Sequence, residues 1–205
     1  MEHFAINIGR QIGSGGREIG TKLAERFGIA CYDKELITIA TRESGICKEF
    51  FEKADEVSTF SMVDEILNLG NINNFHSSNF LFNESLFKIQ SDVILNLVQK
   101  HDCVFVGRCA DYVLRSSGRC LNIFICADIE SRINRIVNFY KNSTEDKVMD
   151  FIQKADKKRA SYYNYYTNKQ WGIAPSYHLC INSSVLGEEK TVDFIVEFAK
   201  EKLKI

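Results

Sequence analysis

The sequence is poor in the features that would place it outside ordinary globular proteins. Proline occurs once, at Pro175, so no segment reads as a rigid proline-rich linker, and no stretch is low in complexity. Its net charge is −1, from 26 Lys and Arg against 27 Asp and Glu, which argues against a nucleic-acid partner held by a broadly basic surface. No apolar run approaches the roughly 18 residues that span a bilayer. Met1-Glu2-His3 opens no basic and apolar targeting pattern, so the expectation is a cytoplasmic protein without a membrane partner. The seven cysteines (Cys31, Cys47, Cys103, Cys109, Cys120, Cys126 and Cys180) include no C-x-x-C pair, and the four histidines show no ligand spacing relative to them. Reduced, small apolar cysteines are expected, and no metal-ligating residue is assigned.

Against that background, one stretch near the start is rich in glycine. The apolar run Phe4–Ile8 leads into Gly9-Arg10-Gln11-Ile12-Gly13-Ser14-Gly15-Gly16-Arg17-Glu18-Ile19-Gly20. This reads as a strand, a glycine loop and a helix start. Gly13, Ser14, Gly15 and Gly16 let successive backbone N–H groups face one concavity, and a helix N-terminus adds positive potential, so the pattern suits an anion, phosphate above all. In the register G-x-x-x-x-G-K-[ST], the lysine position falls on Arg17 and the hydroxyl position on Glu18. A dinucleotide fingerprint beginning at Gly13 and Gly15 fails at its third glycine, where Glu18 stands. A tight strand-to-helix turn without ligand is the competing reading of the glycines.

Along the chain, short apolar segments at Phe4–Ile8, Ile29–Tyr32, Cys103–Val106, Asn122–Cys126 and His178–Ile181 alternate with helical periodicity. The alternation predicts an α/β fold with a five-stranded parallel sheet and helices on both faces. Arg17–Phe27, closed by Gly28, is the first helix. Between Asp33 and about Lys100 the rhythm becomes consecutively helical, with Lys34–Arg42, Lys48–Ala54, Met62–Leu69 and Glu84–Gln99 as candidates and Gly70–Asn79 as an exposed loop. The expected organisation is one domain over 1–205, with a helical insertion at about 34–100. Helices Ile129–Tyr140, Glu145–Tyr166 and Glu188–Leu203 complete the pattern.

Four further groups carry chemistry. Asp33 follows the second strand, where a carboxylate either faces the ligand crevice, orienting a nucleophile or a metal-bound water, or caps the next helix. Arg108, after the buried strand Cys103–Val106, could bind a phosphate or base edge while Asp111 orients it; an internal Arg108–Asp111 pair is the alternative. Arg132, Arg135, Lys154, Lys157, Lys158 and Arg159 lie on two helical patterns that bracket a polar turn, as a basic lid over about 138–172 would, although charge runs commonly mark solvated faces. The aromatic run Tyr162-Tyr163-Asn164-Tyr165-Tyr166 and Trp171 suits helix packing or stacking on a ligand.

Together, the Arg10–Gly20 loop, Tyr32-Asp33-Lys34-Glu35-Leu36, Gly107-Arg108-Cys109-Ala110-Asp111 and the Tyr162–Trp171 segment resemble the cytidylate kinase-like family over nearly the whole chain. The resemblance implies a three-layer fold of the nucleoside monophosphate kinase type, with a phosphate loop, an acceptor-binding insertion and a lid. It implies ATP and Mg²⁺ as cofactors and a nucleotide or small phosphorylated substrate. Gly13, Ser14, Gly15, Gly16, Arg17 and Glu18 would hold the ATP phosphates. Arg17, Asp33, Arg132, Arg135 and Arg159 would act in transfer, and Asp33, Arg108, Asp111 and Lys158 would meet the acceptor. Arg108 matches the arginine of the family's Gly-Arg-Asp motif, whose aspartate is Cys109 here. Without the standard lysine and hydroxyl, a phosphate-binding regulatory module that does not turn over is the alternative function.

Overall fold

The computed structural model describes residues 3–33, 77–139 and 145–205. Five strands form one sheet: β1 (Ala5–Arg10), β2 (Ala30–Tyr32), β3 (Cys103–Val106), β4 (Cys120–Cys126) and β5 (Leu179–Asn182), in the order β2-β3-β1-β4-β5. Every pairing is parallel, with Ile6 opposite Val104 on one side and Leu121 on the other. The helices are α1 (Gly16–Phe27), α2 (Ser77–Lys100), α3 (Ala110–Val113), α4 (Ile129–Phe139), α5 (Glu145–Thr167) and α6 (Ser183–Leu203).

Alternation along the strands divides the core. Ile6, Ile8, Val104, Val106, Leu121, Ile123 and Ile125 pack on one face against Ile19 and Leu23 of α1 and Val192 and Ile195 of α6. Ala5, Cys103, Phe105 and Cys120 face the other way and meet Ile94 and Val98 of α2 with Ala110 and Leu114. Both faces are covered, as a parallel sheet requires. The central strand β1 has β3 on one side and β4 on the other, so the loop after it opens at the point where strand order reverses. Ligand crevices of open α/β sheets lie there.

The five expected strands and both-face packing are present, with ends shifted by one or two residues. Gly28, in the left-handed region with φ 65°, closes α1 by donating to the Ala24 and Glu25 carbonyls. One expectation needs correction. Ser77–Asn79, read as the end of a loop, belong to α2, which starts seven residues before the expected Glu84–Gln99 helix and ends one after it. The expected closing helix Glu188–Leu203 is present, preceded by a turn from Ser183 that Asn182 caps by accepting from the Ser184 N–H at 3.0 Å. Gly187, at φ 73° and ψ 172°, is not helical and separates that turn from the closing helix. The expected helices Lys34–Arg42, Lys48–Ala54 and Met62–Leu69 and the loop residues 70–76 lie outside the described residues.

Gly20 lets α1 approach the sheet closely: a Cβ there would stand 2.8 Å from Val106 Cγ2 and 3.2 Å from Ile8 Cδ1. Gly20→Ala should therefore lower stability by about 1–2 kcal/mol despite alanine's better helix propensity, because overpacking costs more than propensity returns. Chemical denaturation of the two proteins measures the difference, and a more stable alanine variant contradicts the packing argument.

Candidate functional site

Past Arg10, which is still paired opposite Ile125, residues 11–15 leave the sheet without a ladder partner beyond the Gln11 N–H, which donates to the Ile125 carbonyl at 3.0 Å. Buried backbone polar groups must be satisfied elsewhere, and here charged side chains of α4 and α5 do it. The Ile12 N–H donates to Asp156 Oδ1 at 2.9 Å, and Arg132 Nε donates to the Ile12 carbonyl at 2.8 Å. The Arg132 guanidinium is also ion-paired with Asp156. Arg159 donates to the Arg10 carbonyl at 3.0 Å. Further along, Arg135 reaches the Gly13 carbonyl at 3.3 Å and Glu188 at 2.6 Å, and Ser183 donates to the Ser14 carbonyl at 2.7 Å. Gly13 and Gly15, at φ 73° and 74°, make the turns, and close approach demands glycine as well: a Cβ on Gly13 would meet the Arg132 carbonyl at 2.9 Å.

Gly15 is the N-cap of α1 and carries no side-chain cap, so the first-turn amides of Gly16, Arg17 and Glu18 are available to an anion. The Arg17 side chain is mostly exposed and pairs with Asp33 at 2.6 Å, which joins the first turn of α1 to the end of β2. Glu18 is exposed on the same turn.

At the end of β3, Gly107, Arg108 and Cys109 follow one another at φ 84°, 58° and 53°. Two consecutive non-glycine residues in the left-handed region carry strain of the kind found at binding sites. The turn holds the Arg108 guanidinium 5.9 Å from the centre of the Tyr162 ring and leaves its NH2 buried with no hydrogen-bond partner among the described residues. Asp111 is not the partner expected for it. That carboxylate is buried, accepts from the Tyr163 hydroxyl at 2.7 Å and has Lys169 at 4.0 Å; burial raises its pKa. With both residues of the turn left-handed, the two side chains engage different neighbours.

The structure thus gathers Arg10, Arg17, Asp33, Arg108 and Arg159 at the carboxyl ends of β1, β2 and β3. Arg10, not singled out from sequence, feels all the others. Its pKa is pushed down to about 9, first by burial, then by Arg159, Arg108 and Arg17, with Asp33 offsetting part. It is still charged at neutral pH. Burial, then Arg132, also lowers the Arg159 value. Of the remaining basic residues, Lys154 pairs with Asp150 on the surface, Lys157 is exposed, and Lys158 is half-buried beside Arg159. Arg132 and Arg135 lie on the loop's flank, engaged with carboxylates and its carbonyls. The aromatic run packs: Tyr166 stacks on Phe87 of α2 at 4.0 Å, and Trp171 meets Phe124 of β4 edge-on at 5.1 Å.

A second residue missed from sequence is Gln90. It lies on α2 one turn before Ile94, is 1% exposed, and both its amide atoms lack partners. Gln90 continues the i, i+4 stripe of Ile94 and Val98, which pack on the sheet face. An isolated glutamine in a helical pattern gives no sequence signal of that burial.

The parallel sheet, its order and the loop at its reversal point define the class: a kinase-like α/β fold of the phosphate-loop type. The chain belongs to the cytidylate kinase-like family, whose sequence profile matches residues 5–185. A search of curated proteins returns no match. Among solved structures, an uncharacterized protein from Eubacterium ventriosum is similar at 25% identity and TM-score 0.70, covering 97% of this chain and 99% of that one. Shikimate kinase from Bacteroides thetaiotaomicron shares the fold at 14% identity and TM-score 0.51, over 98% and 99% of the two chains. TT1252 from Thermus thermophilus does so at 12% and 0.58, over 98% of each. Among the described residues no helix is long and apolar enough to cross a membrane, and no three His, Cys, Asp or Glu side chains converge as metal ligands.

The buried acids of this region have a pH consequence. Burial raises the Cys31 thiol to about 11, Cys103 to about 12 and the Tyr162 phenol to about 12, and pushes Cys109, Tyr163, Tyr166 and Tyr177 upward as well. Above the ordinary thiol and phenol values of 9.0 and 10.0 the unfolded chain loses protons that the folded chain keeps, so stability falls as pH rises. Arg10 and Arg159, whose values are lowered, oppose this but are fewer. Urea midpoints should fall between pH 8 and about 10.5; constant or rising midpoints contradict the burial of these groups.

Proposed function

We propose that the protein is a cytoplasmic ATP-dependent small-molecule kinase whose acceptor is a nucleoside monophosphate, CMP-like, or a similar small phosphorylated compound. The observation that carries this reading is the gathering of Arg10, Arg108 and Arg159 at the carboxyl ends of the strands beside the uncapped amides of α1, with Arg17 paired to Asp33 at its edge. Such a surplus of fixed positive charge suits phosphates. Membership of the cytidylate kinase-like family and the fold shared with shikimate kinase support a phosphotransferase.

Bound ATP would supply the phosphoryl group: an acceptor oxygen gains a bond to the γ-phosphorus as the bond to the ADP oxygen breaks. The chain's part is positioning and neutralisation, which phosphoryl transfer chiefly needs. Gly13, Ser14, Gly15 and Gly16, with the Arg17 and Glu18 amides, cradle phosphate oxygens. Arg108, with a buried donor unspent, takes the acceptor's anionic group, and Lys158 and Arg159 close that side. Asp33, placed by Arg17, orients the acceptor. Arg132 and Arg135 act through the loop they hold, and Asp111 through Tyr163. The described residues fit the phosphates better than the metal: Arg17 and Glu18 stand at the helix start where a hydroxyl usually meets Mg²⁺, so the ion would arrive with the nucleotide, Glu18 and Asp33 being the nearby carboxylates.

A second reading, a nucleotide- or phosphate-binding regulatory module without turnover, is favoured by the same replacement and by the engagement of Arg17 with Asp33. Calorimetric titration with ATP, alongside ADP release measured with CMP, UMP, AMP and other acceptors, separates the two. Turnover with one monophosphate is expected, and Arg108→Ala should lower kcat/KM for it about a hundredfold, as loss of a charge-stabilising donor does. ATP binding without turnover across the panel supports the module, and absence of ATP binding overturns both readings.

A further inference from the structure

We propose that Arg10, rather than Arg17, is the cation that grips the phosphate chain in the glycine loop, standing in from the end of β1 for the lysine that the usual template carries at the helix start. The proposal rests on the phosphate-binding reading of the cleft and assigns the residue that does the gripping.

The template places its lysine directly after the last loop glycine, where the helix begins. Sequence spacing alone puts that position at Arg17, but Gly15 is the N-cap and the helix begins at Gly16, so the structure moves the position one residue back, to Gly16, which has no side chain to offer. The space such a side chain would enter is already taken. A Cβ on Gly16 would lie 2.5 Å from Arg10 Cβ and 3.0 Å from Arg10 Cγ, so the arginine stem runs across the helix start. Its far end is equally well located. A Cβ on Gly107 would lie 2.1 Å from Arg10 NH1, so the end of β3 is also glycine where the guanidinium passes. Two glycines on different elements thus accommodate one side chain, which spans the cleft from the first turn of α1 to the turn that carries Arg108.

The Arg17 side chain leads elsewhere. It is 59% exposed and meets Asp33 beyond β2. Arg10 instead lies among more like charges than opposite ones, Arg159 and Arg108 being its strongest electrostatic neighbours and Asp33, already paired with Arg17, offsetting only part, while the Arg159 guanidinium fixes its backbone through the carbonyl. A guanidinium serving only the fold would be expected beside a carboxylate, since buried charge is costly unless paired. One whose arginine neighbours outweigh its carboxylate, with the neighbouring Arg108 NH2 buried and unpartnered among the described residues, suits a multivalent anion. A polyphosphate chain has the matching charge, and the planar fork can bind two of its oxygens.

The test uses the full-length protein with inorganic triphosphate and with ATP, titrated calorimetrically, and follows folding by thermal denaturation monitored by circular dichroism. Arg10→Met keeps the apolar stem against Gly16 and removes the charge; it should weaken triphosphate binding tenfold or more, about the value of a charge-assisted hydrogen bond. Arg17→Met should change it by less than about threefold. The double variant Arg10→Gly with Gly16→Lys clears both clashing atoms, leaves Ile125 Cβ at an ordinary 3.4 Å, and returns the cation to the template position. It should recover most of the lost affinity, and it decides the matter if Arg10→Met does not fold. Triphosphate binding that survives in Arg10→Met, or binding that is lost in Arg17→Met or not recovered in the folded double variant, overturns the proposal and leaves the phosphate-binding reading standing. Wild-type protein that binds neither triphosphate nor ATP overturns that reading itself.

Discussion

The clasp that Asp156, Arg132 and Arg159 make on the backbone of residues 10–12 is the interaction on which the rest of the site depends. A loop rich in glycine, leaving the centre of a sheet, has little intrinsic preference for one shape and exposes backbone donors and acceptors that the ladder no longer serves. Asp156 takes the Ile12 N–H, Arg132 gives to the Ile12 carbonyl, and Arg159 gives to the carbonyl of Arg10. Hydrogen bonds to charged groups are about twice as strong as neutral ones, and Asp156 and Arg132 are paired with each other as well. Two helices far along the chain therefore decide the shape of a loop near its start, and with it the direction of the Arg10 stem and the outlook of the α1 amides.

The same arrangement explains the electrostatics of the cleft. Residues that hold the loop bring their charges to it, so Arg159 serves the Arg10 carbonyl and repels the Arg10 guanidinium at once. At the end of β3 the strained Gly107–Cys109 turn adds Arg108, with a donor left unspent. A fold arranged for stability alone would place more carboxylates here. The surplus of positive charge, the orphaned donor and the strained backbone are three independent departures from local stability, and all occur where α/β sheets bind their ligands.

Much of the framework was legible because strand and helix periodicities are local. The alternation of Ile6 and Ile8 with Ala5 and Asn7, the continuous apolar run of Cys103–Val106 and the Gly28 stop each depend on neighbouring residues only. The glycine loop leading into α1 was legible for the same reason, since glycine spacing before a helix is a backbone property. The partners of the charged residues were not. Arg132 and Arg135 read as lid cations with open ends, yet 24 residues separate Arg132 from Asp156 and 53 separate Arg135 from Glu188. Asp111, close to Arg108 in sequence, turned instead to Tyr163, 52 residues away. Gln90 carried no signal, because burial of a polar side chain is set by what packs over it.

By itself, then, the sequence determined the parallel α/β framework, the glycine loop at the end of the first strand and the presence of enough arginine to bind phosphate. Local backbone preference and apolar patterning suffice for those. Only the tertiary structure decided which arginines hold the loop and which face the cleft. Arg10 and Arg17 stand at either end of the same glycine loop, and nothing in their spacing ranks one above the other. Close packing ranks them: Gly16 and Gly107 leave room for the Arg10 stem and fork, while Asp33 draws Arg17 outward, and both outcomes require segments remote in the chain to meet.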